Sequence, residues 1–336
     1  MKVDASIMVD NPSDAGPAGK ALEDSGYDGA FVFEGRHDPF LPICVMAEHT
    51  ERVELMTAIA VAFARNPMNL ANLGYDLHLQ SKGRFVLGLG SQIKPHIERR
   101  FSMPWSKPAS RMSEMITAIR EIWNSWETGE RLNHRGEFYQ HTLMAPFFNP
   151  GPNPFGTPPI FLAGVGPVMT RVAGEVADGY FLHPFHTEAF LAEVTNPSLD
   201  EGFTKSGRER SAFEISAQVI VVSGQDDAAL EQAKLGAKSQ ISFYGSTPAY
   251  RGVLESVGQG DLQTELNTMT KQGQWADMPG QISDDLLDKI ALVGPLEEIP
   301  EKLKKRYGDG VDRVSLVTYG VSPEEQAGLL PALRAL

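Results

Sequence analysis

Apolar runs of three to nine residues alternate with amphipathic stretches along nearly the whole chain, and no other feature restricts its fold as much. A short apolar run bounded by turn residues reads as a strand buried on both faces. Strands of that kind lie in parallel sheets, where an amphipathic helix carries the chain back between them. The sequence predicts strands at Ala5–Val9, Ala30–Phe33, Val53–Val61, Phe85–Leu89, Ile160–Ala163, Tyr180–Leu182, Ile215–Val222 and Arg313–Thr318. Helices are expected at Ser13–Ser25, Leu41–His49, Asn69–Leu79, Arg111–Trp126, Pro167–Ala177, Asp226–Ser242 and Pro323–Ala335. Ser13 in front of the first helix and Gly26 behind it supply start and stop signals. Eight strands alternating with helices fit a (β/α)8 TIM barrel, an α/β fold, better than a doubly wound sheet.

At 336 residues the chain is long for one domain, yet a single α/β barrel reaches this size. We expect one domain over 1–336, with insertions near 128–158 and 243–282. Leu143–Pro159 carries six prolines and reads as an extended crossing segment. Gly245–Gly280 is polar and without clean period, helical only around Asp261–Thr270. Thirty Lys+Arg against 43 Asp+Glu give a net charge of −13, which argues against nucleic acid as a partner because phosphates are bound by cations. Cys44 stands alone, cannot close an internal disulfide, and is expected in the core as a small hydrophobe. The longest near-apolar run, Leu55–Ala64, is half of what a membrane span needs, and Met1–Asp14 lacks an apolar signal core. These readings predict a cytoplasmic chain without membrane contact.

Barrels of this kind place their chemistry in the loops after the C-terminal ends of the strands. After strand two comes Phe33-Glu34-Gly35-Arg36-His37-Asp38, where His37 is a candidate general acid or base, or simply an exposed loop histidine. Strand three carries Ala58, Ala60, Ala62 and Ala64, small residues that admit a flat ligand or merely fit a crowded interior. Strand four ends Gly88-Leu89-Gly90-Ser91-Gln92, whose backbone N–H groups are candidates for holding an anion. Strand five ends Ala163-Gly164-Val165-Gly166-Pro167 at a helix N-terminus, a second candidate anion site. Neither glycine set has dinucleotide-fingerprint spacing. His183 and His186 lack the i,i+4 spacing of zinc hydrolases, so no metal is expected. His49 and His78 fall inside expected helices and read as structural.

Taken in order, Thr57–Pro67, Gly83–Arg100, Arg135–Tyr139, Pro159–Phe185, Val293–Glu298 and Asp309–Asp312 resemble the luciferase-like monooxygenase family, in its coenzyme F420 (deazaflavin)-dependent branch. The resemblance implies a TIM barrel with the ring of the coenzyme in the C-terminal mouth. Thr57, Ala58 and Ile59, with a non-prolyl cis peptide, would back that ring. Ser91, Gln92, Ala163, Gly164, Val165 and Gly166 would hold the phosphate-bearing tail, with Pro167 and His183 completing the cofactor contacts. His37 would move a proton, oriented by Glu34, while Arg65, Lys94 or Arg99 would offset the tail's charge. Ile93 stands where some sugar-phosphate dehydrogenases of the family carry a glutamate, so that activity is not implied. The expected function is hydride transfer between F420 and a small, partly hydrophobic substrate. The alternatives are an FMN-dependent monooxygenase and a non-catalytic cofactor binder. A homodimer is implied as well. Phe101–Ser110, Gln140–Pro158 and Phe243–Gly280, with Trp105, Phe147, Phe148, Phe155 and Trp275, are expected to shape the substrate pocket or a dimer face.

Overall fold

Eight parallel strands close on themselves in the computed structural model, which describes all residues from Met1 to Leu336. They are β1 (Lys2–Ser6), β2 (Gly29–Val32), β3 (Glu54–Thr57), β4 (Phe85–Gly90), β5 (Ile160–Gly164), β6 (Gly179–Leu182), β7 (Glu214–Val222) and β8 (Arg313–Tyr319). Each pairs in parallel with the next, and β8 returns to β1 through Lys2–Arg313, Val3–Val314 and Asp4–Ser315. The outer ring begins with α1 (Ala15–Ser25), α2 (Phe40–His49), α3 (Pro67–Gln80), α4 (Pro108–Thr128), α5 (Pro167–Val176) and α6 (Asn196–Ser206), and α7 (Asp227–Gly245) follows β7. The chain is therefore a (β/α)8 barrel. No helix is long and apolar enough to cross a membrane.

Several elements depart from expectation for physical reasons. β1 starts three residues early because Lys2 and Asp4, polar in sequence, belong to a charge cluster inside the barrel. Strand three does not run unbroken to Val61: it stops at Thr57 and resumes as Ala60–Val61 beside β4. Asn11, not Ser13, caps the turn that leads into α1, its side chain accepting from the Ser13 N–H. The helical stretch from Glu188 to Ser206, unforeseen, contains a π-turn at Leu191–Thr195 and starts on a Thr187 cap. Cys44 is exposed on α2 rather than buried in the core.

Alternation along the strands divides inward from outward side chains. Val3, Ala5, Ile7, Ala217 and Val219 face the helices, in the main core. Inward, the end where the strands start is filled by charge. Buried Arg313 donates through Nε and Nη2 to Asp4, both at 2.8 Å, and through Nη1 to Glu54 and to Glu214 at 3.0 Å. Lys2 adds bonds to Glu54 at 2.8 Å and Glu214 at 3.0 Å. A Cβ on Gly29 would stand 2.3 Å from Asp4 Oδ1, so β2 must begin with glycine. Above this layer Phe31, Met56, Val86, Phe161 and Phe181 fill the barrel, the two last rings 5.3 Å apart.

β3 and β4 approach so closely at their C-terminal ends that a Cβ on Gly88 would lie 1.7 Å from the Thr57 carbonyl oxygen. One on Gly90 would lie 2.8 Å from Ile59 Cγ1. Thr57 Oγ1 donates to the Gly88 carbonyl at 2.7 Å and accepts from its N–H at 2.9 Å.

Arg313→Met strands buried Asp4 and leaves Glu54 and Glu214 with Lys2 alone, and should cost about 3–5 kcal/mol in urea unfolding at neutral pH. With the guanidinium gone, those carboxyls hold their protons at higher pH in the folded chain than in the unfolded one, so the deficit should shrink on acidification. Gly88→Ala should cost at least about 2 kcal/mol, since its obstacle is backbone. Gly166→Ala, where an added Cβ meets nothing within 4 Å, should stay within about 0.5 kcal/mol of the parent.

Candidate functional site

The catalytic and cofactor-contact candidates, Glu34, His37, Thr57 to Ile59, Ser91, Gln92, Ala163 to Pro167 and His183, lie at or just beyond the C-terminal ends of β2 to β6, at one mouth of the barrel. The peptide bond between Ala58 and Ile59 is cis, at the break between Thr57 and Ala60. Ala58 N–H donates to the Val32 carbonyl at 2.9 Å, and the Ile59 carbonyl accepts from the Glu34 N–H at 3.1 Å. Ala58, Ile59 and Ala163 form a smooth apolar wall above Phe161 and Phe181. Thr57 is fully buried with its hydroxyl committed to Gly88, so its part is to hold β4 in place.

On the β2 side the ionisable groups are organised differently from expectation. Glu34 does not orient His37. One oxygen of Glu34 accepts from the Val61 N–H at 2.7 Å and from Arg65 Nη1 at 2.6 Å. Arg65 Nη2 donates to Asp38 at 2.7 Å, and its guanidinium lies 5.3 Å from the centroid of the Phe40 ring. Glu34 and Arg65 thus brace the bulge, and the charge of Arg65 is already matched by two carboxylates. His37 stands exposed at the rim without a hydrogen bond to the protein. Lys94 and Arg99 lie exposed on the short helix Lys94–Arg99, Lys94 3.8 Å from Glu98.

The two glycine turns do different work. Gly88 and Gly90 are needed for the approach of β3, and the Gly88 N–H is taken by Thr57. Gln92 adopts a positive φ of 58°, its side-chain oxygen accepts from the Ile93 N–H, and Ser91 Oγ donates to the Gln92 carbonyl. The turn from Gly164 to Pro167, by contrast, is open. Tyr180 Oη donates to the Gly164 carbonyl, and Thr170 N–H and Oγ1 donate to that of Gly166, both at 3.1 Å. No side chain caps α5, so the first N–H groups of a ten-residue helix are free for an acceptor. A Cβ on Gly166 would meet open space.

His183 follows β6. Phe181 points into the barrel, and alternation puts His183 on the same face one step nearer the mouth. Its Nδ1 accepts from the Phe185 N–H at 3.1 Å, so a neutral ring carries its proton on Nε2. Burial, with His186 close by, holds its pKa down at about 3. Tyr244 and Tyr250 pack on it with ring centroids 4.6 and 4.8 Å away. His186 is buried with both nitrogens in use: Nδ1–H donates to the His183 carbonyl and Nε2 accepts from Tyr307 Oη, each at 2.7 Å. Both tyrosines come from α7 and the segment after it. This helix crosses the mouth, from Gly236 against Tyr319 at the end of β8 to Tyr244 against His183.

Other expected pocket residues are elsewhere. Met144 to Pro158 runs along α3 and the C-terminal turns of α4. Met144 meets Trp126, Asn153 N–H donates to Glu127, and Phe155 packs on Gly83 ahead of β4. Phe147, Phe148 and Phe155 therefore lie toward the end where strands begin, away from the mouth. Phe147 and Phe148 are exposed and stacked edge to face. Trp105 packs on Phe63 beside the bulge, and Trp275 pairs with Phe243 on the surface of the later insertion. His78 is buried between the carbonyls of Phe85 and Phe155, whereas His49 is exposed and bonded within its own helix. Three residues were not singled out in sequence. Glu114 accepts the N–H groups of Glu137, Phe138 and Tyr139, which explains the Arg135–Tyr139 turn. Arg111 lies over the rings of Phe63, Phe138 and Tyr139. Gln218 points inward from β7.

Comparison with known proteins bears on the fold and the family. An uncharacterized protein of Mycobacterium tuberculosis is 51% identical over 96% of this chain and 95% of its own length. A putative coenzyme F420-dependent oxidoreductase of the same organism is 29% identical, covering 93% of this chain and 92% of its own. Among solved structures, the coenzyme F420 dependent tetrahydromethanopterin reductase from Methanopyrus kandleri superposes with a TM-score of 0.77 at 18% identity, over 98% of this chain and 97% of that one. A family profile described as luciferase-like monooxygenase matches residues 3–313, and the chain belongs to that family.

Proposed function

We propose that this protein is an oxidoreductase that uses deazaflavin coenzyme F420 to transfer hydride to or from a small, partly apolar organic molecule. The observation that carries this reading is the two-ended shape of the mouth. One end is an apolar wall of small side chains, Ala58, Ile59 and Ala163; the other is the uncapped start of α5 beside Gly166. A long coenzyme with a flat ring and an anionic tail matches both ends, and distant relatives carry names that include F420.

When bound, the coenzyme supplies the two-electron chemistry. The chain's own residues position and polarise. The Ala58–Ile59 bulge, braced by Glu34 and Arg65, sets the wall against which the ring lies. The N–H groups at the start of α5 would donate to the tail's anionic oxygens without a matched cation, which suits a protein of charge −13. His37, free of protein partners at the rim, is placed to exchange a proton between substrate and solvent.

Absorbance and fluorescence titrations with F420 and with FMN test the reading: F420 should bind in preference, and preference for FMN overturns it. Gly166→Asp puts a carboxylate where the tail lies and should weaken F420 binding tenfold or more, while thermal stability holds. His37→Ala should lower turnover about 10²-fold and remove one limb of the pH profile. Unchanged turnover with an unchanged profile removes His37 from proton transfer.

A further inference from the structure

The wall of the mouth opposite Glu34 and Arg65 is polar in places, and the side chains packed together on it are uncharged. Most cations of the surrounding elements are matched, Lys271 at the exposed end of the helix Gly260–Lys271 excepted. Lys234 and Lys238 pair with Asp284, Arg251 with Glu255 and Asp261, and Lys302 with Glu298 and the Val293 carbonyl. What faces the opening instead is aromatic and neutral: His183, Tyr244, Tyr250 and Tyr319.

Several polar side chains of this wall lack protein partners, Ser315 across from Gln218 on β8 among them, and two of these carry N–H donors. β6 and β7 run in register through Phe181–Ser216 and Leu182–Ala217. β6 ends at Leu182, and carrying the register one step further sets His183 beside Gln218 at the usual strand spacing of about 4.8 Å. Both point inward: Phe181 on one strand, and Glu214 of the ion cluster with buried Ser216 on the other, fix that face by alternation. Ala217 and Val219, the neighbours of Gln218, are buried in the outer core. Gln218 itself is half-buried, and its side-chain amide forms no hydrogen bond with the protein and stays open to the mouth. His183 has Nδ1 occupied and Nε2 without a protein acceptor. Two uncharged N–H donors thus stand side by side, framed by tyrosine rings, beside the apolar wall of Ala163 and Ile59.

We propose that His183 Nε2–H and the Gln218 side-chain amide together hold the oxygen of an uncharged carbonyl substrate, an aldehyde or ketone, with Tyr244 and Tyr250 framing its apolar part. The substrate class rests on the hydride-transfer reading above. In that reaction the carbonyl carbon takes the hydride of the reduced coenzyme, which is thereby oxidised by two electrons. The C=O π pair moves to oxygen, and the oxygen takes a proton that His37 passes on from solvent. Neutral donors stabilise the negative charge that develops there while giving no advantage to a carboxylate or phosphate, whose full charge such donors leave unmatched.

Calorimetric titration of the protein without coenzyme, using acetophenone, benzoate and phenyl phosphate, tests the site independently of turnover. Acetophenone should bind at least tenfold more tightly than either anion. It should also shift the 15N resonance of His183 Nε2. Gln218→Leu and His183→Phe should each weaken acetophenone about tenfold, while His183→Gln, which keeps a donor, should recover much of the loss. Gln218→Glu is nearly isosteric and guards against a folding failure: it should abolish acetophenone binding with the melting temperature unchanged. Tighter binding of either anion, or indifference of acetophenone to both Gln218 variants, overturns the proposal. F420 titrations of the same variants report separately on the oxidoreductase reading. Normal F420 binding with indifferent acetophenone binding removes the donor pair alone.

Discussion

Closure of the barrel depends on a charge that is never exposed. Arg313, on the last strand, is fully buried and bonded twice to Asp4 on the first, 309 residues away in sequence. Burial by itself pushes the Asp4 carboxyl up and opposes the charge on Arg313, yet the pair with Asp4 and Glu54 leaves the guanidinium more firmly protonated than usual. Glu54 from β3 and Glu214 from β7 complete the coordination, so four strands contribute to one ionic plug. Such a cluster contributes little net energy compared with apolar packing. Its half-broken forms are costly, and that cost penalises any register other than the one that pairs β1 with β8.

The opposite end of the barrel is built on close approach rather than charge. Glycines at 88 and 90 let β3 press against β4, and the reciprocal bonds of Thr57 with Gly88 hold the two together. The mouth that results has two unlike sides. Around β2 and β3, Glu34, Arg65 and Asp38 form a closed charge network that braces the backbone. Around β6 to β8, α7 brings tyrosines over His183 and leaves a neutral wall. The uncapped α5 lies between them, its first N–H groups without a side-chain acceptor.

Much of this was legible in the residue pattern, and the exceptions share a cause. The order of strands and helices follows from periodicity, which is local. β1 was misplaced because Lys2 and Asp4 look like surface residues until the partners that bury them are known. Gly88 and Gly90 carry the composition of an anion-binding turn, but their neighbours in space are Thr57 and Ile59. Glu34 sits three residues from His37 and bonds instead to Arg65, 31 residues on. Phe147, Phe148 and Phe155 have the composition of a pocket wall and lie away from the mouth because the proline-rich segment follows α3 and α4.

The sequence by itself determined the barrel, the family, and the set of loops that meet at its mouth, because alternation and strand-end position are properties of contiguous residues. Only the tertiary structure decided which polar groups in that mouth are already satisfied and which are free. Glu34, Arg65, Thr57 and His186 are committed to protein partners, while His37, His183 Nε2, Gln218 and the first N–H groups of α5 are not. That division depends on strand register and on contacts between residues far apart in the chain. A hydrogen bond is directional and short, and spacing along the sequence does not encode it.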